Sequence, residues 1–577
     1  MTTVDVWAPN ASVVELVIGN RRVPLQPAGD GWFRGDEDLA AGSDYLVSLD
    51  GAGGLPDPRS HHQPHGVHGP TRVVDHAAFE WTDHAWCGRP LAGSVVYELH
   101  VGTFSPSGDF DGVIERLDHL VELGVGFVEV MPIAAFPGRM GWGYDGVALY
   151  AVHEPYGGPD GFKRLVDACH ARGLGVLVDV VLNHLGPDGN HLSRFGPYFT
   201  DKHHTPWGQA LNLDQPGATE VRTFLAGVCH HWYERYHVDG LRLDATDTLR
   251  DDSAVPFLEE LSARRDEWAA HLRRTLLLVA EDDRNNPRLV VPREAGGTGL
   301  DAWWADDLHH ALHAWLTGER EAYYASFGAP EQVARALRRG QVYDGQVSPS
   351  RGRAHGRPAD HLPAHRLVTC DQNHDQVGNR ARGDRLSHLV GVDAALAAAT
   401  LALLAPTTPL LFQGEEWAAS TPFPYVSDHQ DAELADAVRT GRRTEFAELG
   451  WRAEEVLDPQ DPEVHRLGVL RWEERAQPPH RHVLEWYRTL LRLRSTLPEL
   501  TDGCFDRVET AVIGQGAQAA VVLRRGRVVA VANRAPDPVE VTAPPGSVVL
   551  LGAGRLDTDR LVLHVPAETT VVIGPPA

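Results

Sequence analysis

The sequence is poor in lysine and in cysteine, and each shortage removes a class of chemistry. Only two lysines occur in 577 residues, Lys163 and Lys202, and neither sits in an apolar, pocket-like stretch, which argues against a Schiff-base mechanism. The five cysteines, Cys87, Cys169, Cys229, Cys370 and Cys504, are odd in number, scattered and never in a CxxC pair. Reduced, mostly buried thiols are therefore expected rather than a disulfide framework. Basic charge is short too: 53 Lys and Arg against 79 Asp and Glu leave a formal charge of −26, which repels a phosphate backbone or an anionic bilayer. No nucleic-acid partner is expected. No run of about 18 apolar residues occurs, and Met1–Asn10 (MTTVDVWAPN) lacks the basic start and apolar stretch of a leader. No membrane association is expected, and a cytoplasmic enzyme fits.

What is present suffices for several domains. The chain is several times the usual domain length, and 42% hydrophobic with 23% charged residues is ordinary for a globular protein. Residues 1–90 read as short alternating strands, such as Ser12–Ile18 and Asp44–Leu49 broken by Gly, Asp and Pro turns, which predicts an immunoglobulin-like β-sandwich of the carbohydrate-binding-module kind. Gly51–Pro70 is too rich in Gly, Pro and His for a regular element and reads as a solvated linker. Its histidines His61, His62, His65 and His68 lack Cys or carboxylate partners at ligand spacing, so no metal is expected there.

Residues 91–497 change character: apolar strands alternate with helices, the signature of a parallel sheet covered by helices. Strands are predicted at Val95–Leu99, Phe127–Met131, Val176–Val181, Gly240–Leu243, Leu276–Ala280, Asp301–Trp304, Leu367–Cys370 and Pro409–Phe412, eight in all, enough to close a (β/α)8 TIM barrel of the α/β class. Phe162, Leu165, Val166 and Cys169 share one helix face, as do Val113, Leu117, Leu120 and Val121, with Gly124 placed as a stop. Gly186–Gly208 and Glu321–His365 are insertions that would shape a substrate site. A helix at Val483–Ser495 precedes strand-like runs at Ala519–Leu523, Val528–Ala532, Val548–Leu551 and Thr569–Ile573, which predicts a C-terminal all-β domain, a β-sandwich, over residues 498–577.

Barrel chemistry sits just past the C-terminal strand ends, and those positions are acidic: Asp179 with Asn183 and His184, Arg242 with Asp244, Glu281 with Asp282, and His374 with Asp375. Carboxylates beside histidines suit either a divalent metal or acid and nucleophile roles on an acetal. No HExxH and no short-spaced ligand set supports the metal, so neither metal nor other cofactor is expected. Acetal chemistry needs two carboxyl groups roughly 5 Å apart for retention, and these can come from different strands. An ion-pair lattice closing the barrel top is the structural alternative, which suits Asp179 as a clamp on Arg242.

The segments DVVLNH (Asp179–His184), GLRLDATD (Gly240–Asp247), VAEDD (Val279–Asp283) and DQNHDQVGN (Asp371–Asn379) resemble, in order, the four signature regions of glycoside hydrolase family 13, the α-amylase superfamily. The resemblance implies Asp244 as nucleophile, Glu281 as general acid/base and Asp375 as the carboxylate that holds sugar hydroxyls. It implies His184 and His374 as hydroxyl donors, and Tyr144, followed by Asp145 in GWGYD, as the platform under the reacting ring. Longer segments, among them YELHVGTFSPSGDFD (Tyr97–Asp111), MPIAAFPGRMGWGYDGVA (Met131–Ala148), AEDDRNNPRLVV (Ala280–Val291) and DDLHHALHAWLTG (Asp306–Gly318), resemble the maltooligosyltrehalose trehalohydrolase branch of that superfamily.

That branch implies cleavage of the α-1,4 bond beside a terminal trehalose, maltooligosyltrehalose and related α-glucans as substrates, and functional pairing with the enzyme that forms maltooligosyltrehalose. Trp207, Trp303, Asp306 and Glu416 are candidates for the wall that reads the trehalose leaving group, since partners buried for one linkage shape stay unpaired with another. A branching enzyme, a plain α-amylase and a glucan-binding protein on a degenerate barrel are the alternatives.

Overall fold

The computed structural model describes residues 3–36, 38–448 and 451–576; Met1 and Thr2 of the Met1–Asn10 stretch lie outside the described residues. Eight parallel strands close a barrel: β1 Val96–Leu99, β2 Phe127–Val130, β3 Gly175–Val180, β4 Gly240–Leu243, β5 Leu277–Glu281, β6 Ala302–Trp304, β7 Leu367–Thr369 and β8 Thr408–Phe412. Their apolar runs are buried throughout because helices cover the outside while side chains fill the inside. Strand parity sorts the side chains. Val96, Leu177, Leu277, Val279, Ala302, Trp304 and Val368 pack inside the barrel, whereas Tyr97, Val178, Leu241, Leu278, Ala280 and Trp303 pack against the helices.

The covering helix Gly158–Ala171 buries Phe162, Leu165, Val166 and Cys169, as its periodicity requires. The second predicted helix is two, Phe110–Ile114 and Leu117–Leu123, with Gly124 at φ +98° as the stop. The break turns Val121 out, where it is 42% exposed, so Val121 does not share the buried face of Leu117 and Leu120.

Before the barrel lie a four-stranded antiparallel sheet, Arg21–Pro24, Val14–Ile18, Asp44–Leu49 and Thr71–Arg72 in that order, and a three-stranded one, Asp5–Trp7, Trp32–Arg34 and Gln26–Gly29. After it come a five-stranded sheet built on Val508–Ile513, Ala520–Arg525 and Val528–Asn533, and a three-stranded sheet packed against it around Val531, Val541, Leu563 and Val571. Among the described residues no helix is long and apolar enough to cross a membrane.

The 51–70 stretch is not a solvated linker. It lacks regular elements but is pinned along its length: Leu55 bridges to Val47, His62 bonds Glu154 at 2.7 Å, His68 bonds Asp188 at 2.8 Å, and Ser60 and Gln63 are buried. Side-chain anchoring substitutes here for a backbone ladder, which composition does not reveal. It is a strap that ties the N-terminal sheets to the barrel.

Candidate active site

Parity aims Asp179, Arg242, Asp244 and Glu281 inward at the C-terminal strand ends, and the parallel register sets Asp179 beside Arg242. Arg242, wholly buried, is the hub. Its Nη1 donates to Asp179 Oδ2 at 2.7 Å and to Asp244 Oδ1 at 3.0 Å, and its Nη2 forms an ion pair with Glu281 Oε2 at 3.0 Å without a well-aligned N–H. The guanidinium lies 4.2 Å over the Trp304 ring, which supports it from the barrel interior. Asp244 Oδ2 accepts from Asn183 Nδ2 at 2.7 Å, so both oxygens of Asp244 are hydrogen-bond acceptors.

Glu281 Oε2 also accepts the backbone N–H of Ala245 at 2.7 Å. Ala245 is in the left-handed region at φ +38°, a strained conformation for a residue with a Cβ, held one residue past Asp244. Burial pushes the Glu281 carboxyl well above its ordinary range; Arg242 pulls it back, and Asp244 and Asp375 add to the rise. Burial likewise raises Asp179 to about 6, against Arg242.

Tyr144 donates to Asp179 Oδ2 at 2.5 Å and lies 2.8 Å from His374 Nε2, its ring stacked on that imidazole. Glu98 of β1 receives Nδ1 of His374 at 2.5 Å and its backbone N–H at 3.0 Å. Burial lowers the His374 pKa, but the Glu98 and Asp375 carboxylates override it and raise it to about 9. His184 is lowered by burial, bonds the Tyr144 carbonyl at 3.1 Å and stacks on Trp207 at 4.2 Å.

These groups open on a cavity of about 480 Å³ lined by Tyr144, Asp145, His184, Trp207, Asp244, Glu281 and Asp375. Asp375 sits at the rim, partly exposed, accepting from Asn379 at 3.2 Å. A larger cavity of about 740 Å³ lies under the strap around His65, Arg139 and Asp428, but it holds none of the carboxylates that Arg242 joins. Asp306 lines a neighbouring cavity of about 230 Å³ with Asp283, His310 and Tyr323, where burial raises its carboxyl to about 7.

Two of the leaving-group candidates are elsewhere. Trp303 is 0% exposed and packs outside the barrel, because the inward position of β6 belongs to Trp304. Glu416 is also fully buried, held by Tyr97 at 3.0 Å and His119 at 2.9 Å beneath the covering helices. Conversely, Glu98 and Trp304 join the site although the sequence pattern gives them no role, and Asn183, expected only as a strand-end neighbour of Asp179, holds Asp244. A glutamate inside the apolar run VYEL was the readable signal for Glu98, since its parity matches inward-facing Val96.

Comparison with known proteins places these features in context. A model of the α-amylase catalytic domain matches residues 71–204. The malto-oligosyltrehalose trehalohydrolase of Arthrobacter ramosus is 48% identical over 572 residues, covering 98% of this chain and 98% of its own length. That of Rhizobium sp. (strain M-11) is 44% identical over 579 residues, 99% of this chain and 97% of its own. A Salmonella typhimurium protein solved at 1.4 Å and provisionally named an alpha amylase superposes with a TM-score of 0.90 at 37% identity, over 99% of this chain and 97% of its own.

Proposed function

The chain belongs to the malto-oligosyltrehalose trehalohydrolase family, and from that premise we infer that it is a retaining glycoside hydrolase. It cleaves the α-1,4-glucosidic bond next to the terminal trehalose of a maltooligosyltrehalose, releasing trehalose and a maltooligosaccharide. The observation that carries the mechanism is the single guanidinium of Arg242 shared by Asp244 and Glu281. It ties two carboxyl groups from adjacent strands together, in keeping with the roughly 5 Å spacing of a retaining pair rather than the wider gap that an inverting enzyme leaves for water.

In the first step an Asp244 oxygen attacks the anomeric carbon while the protonated Glu281 gives its proton to the departing glucosidic oxygen, and trehalose leaves. The raised Glu281 carboxyl suits that acid role at neutral pH. In the second step Glu281, now a carboxylate, takes a proton from water as the water oxygen bonds to the anomeric carbon and the bond to Asp244 breaks. Arg242 and Asn183 hold Asp244 for attack. Asp375 and His184 bond the sugar hydroxyls and Tyr144 carries the ring, while His374, fully buried outside the cavity lining, holds the Tyr144 hydroxyl at 2.8 Å.

A general acid faces the leaving group, so trehalose lies on the Glu281 side, with Trp207 and Asp145 of the same cavity and Asp306 of the neighbouring one as further contacts. A role in trehalose biosynthesis beside the maltooligosyltrehalose-forming enzyme follows from the substrate. The buried thiols of Cys169, Cys229 and Cys370 suit the reducing cytoplasm. Chromatography of parallel digests tests the reading. Trehalose should appear rapidly from maltooligosyltrehalose while the unmodified maltooligosaccharide is cut slowly. Rapid maltose release, or new α-1,6 branches, would overturn it.

A further inference from the structure

Three histidines far apart in sequence meet away from the carboxylate cavity. His61 lies in the strap, His76 opens the short 3₁₀ turn His76–Ala78, and His231 sits on the covering helix Ala218–Arg235. One ring nitrogen or another of each lies within 4.8 Å of those of the other two. The ring centres stand 4.3 Å apart for His61 and His231, 5.1 Å for His61 and His76, and 5.4 Å for His76 and His231. Imidazoles sharing one tetrahedral ion through bonds of about 2.0–2.1 Å have ring centres roughly 5 Å apart. The backbone already holds that spacing.

A second observation points the same way. His231 is 5% exposed, and its Nε2 has no hydrogen-bond partner. Nδ1 of His76 is likewise buried without a partner, while its Nε2 faces Nδ1 of His61 at 3.2 Å. His61 also lines a surface cavity of about 240 Å³, a route by which an ion can enter.

We propose that His61, His76 and His231 bind one divalent transition-metal ion of the imidazole-preferring kind, zinc being the type, as a structural clasp that fastens the strap to the barrel. The cluster offers three imidazoles and no carboxylate. A hard, oxygen-seeking ion such as calcium or magnesium therefore gains nothing there, whereas zinc forms strong bonds to neutral nitrogen. The other grouping of this kind among the described residues, His203 with Asp214 and Asp252, already has a cation: Lys202 Nζ lies 2.8 and 2.9 Å from the two carboxylates.

The test uses the whole chain, freed of metal by dialysis against a chelator and titrated with Zn²⁺ or Co²⁺ alone. One equivalent of Zn²⁺ should bind and raise the thermal midpoint, EDTA should reverse the rise, and Co²⁺ should give the visible bands of a tetrahedral, nitrogen-bound ion. His61→Ala, a change in the half-buried strap, should weaken that equivalent by about tenfold or more. His203→Ala should leave it unchanged, and Glu281→Gln should retain it, which separates the clasp from the catalytic cavity. Should His231→Ala fail to fold, the cobalt spectra of the unaltered chain and of His61→Ala carry the test. Absence of a stoichiometric site, or an equivalent that survives both His61→Ala and His76→Ala, would overturn the proposal.

Discussion

Two networks of buried carboxylates sit on opposite faces of one barrel wall, and β1 contributes to both. Glu98 points inward and bonds His374, while its neighbour Tyr97 points outward and bonds Glu416. The outer network is closed. Arg475 donates to Nδ1 of His119 at 3.1 Å, which leaves the proton on Nε2 to be donated to Glu416 at 2.9 Å, and the Gly414 N–H satisfies the Tyr97 hydroxyl at 3.1 Å. The inner network is left open. Asp179 Oδ1 has no partner, Glu281 is pushed toward its protonated form, Ala245 is strained, and a cavity of about 480 Å³ meets Asp244, Ala245 and Glu281. Burial of an acid therefore does not mark chemistry by itself; unspent hydrogen-bonding capacity beside an accessible cavity does.

The contrast breaks or sharpens under substitution. Asp244→Ala or Glu281→Gln should lower kcat by roughly 10³-fold or more with circular dichroism and thermal midpoint nearly unchanged, because each removes a group used in the transition state. Near-normal turnover in a folded Glu281→Gln protein would end the division between the networks. Glu416→Ala should do the reverse. Stranding His119 and Tyr97 in a buried site should cost about 3–5 kcal/mol of stability, read by denaturant titration, with KM unchanged in the folded fraction. The adjacent tryptophans offer the same split within one strand: Trp303→Ala should cost about 3–5 kcal/mol through the cavity it leaves, whereas Trp304→Ala should also lower kcat by loosening Arg242.

Glu98→Gln should have a smaller effect on rate, about tenfold, but a distinctive one on pH. The folded His374 pKa of about 9 lies above its ordinary 6.5, so protonation of His374 stabilises the fold fully below pH 6.5 and that contribution is lost as pH rises through 9. Thermal midpoints across that window should fall in the unaltered chain and flatten in Glu98→Gln; an equally steep fall in both would separate Glu98 from His374. Trp207→Ala, at 51% exposure and stacked on His184, should change KM by only a few-fold.

Much of this was legible beforehand for a physical reason. Barrel strands buried on both faces write themselves as apolar runs, and each predicted strand lies within a residue of an observed one at either end. Inward-facing residues at or just past the ends of those runs have one place to point, which brings Asp179, Asp244 and Glu281 to one guanidinium. Parity turns Trp303 outward, since its neighbour Trp304 takes the inward position, and turns Glu98 inward from a run that reads as core. Glu416 shares the motif-rich end of β8 with the site but turns under the helices. The histidine trio was illegible because its partners come from three chain segments, and the strap because side chains rather than a ladder hold it.

The central claim is that the pair clamped by Arg242 hydrolyses the bond beside trehalose with retention. A proton NMR time course on maltooligosyltrehalose reads both halves of it in one tube. The account predicts trehalose signals rising together with the α anomer of the new reducing end, the β anomer appearing later by mutarotation. The β anomer appearing first, or a first product other than trehalose, would contradict it.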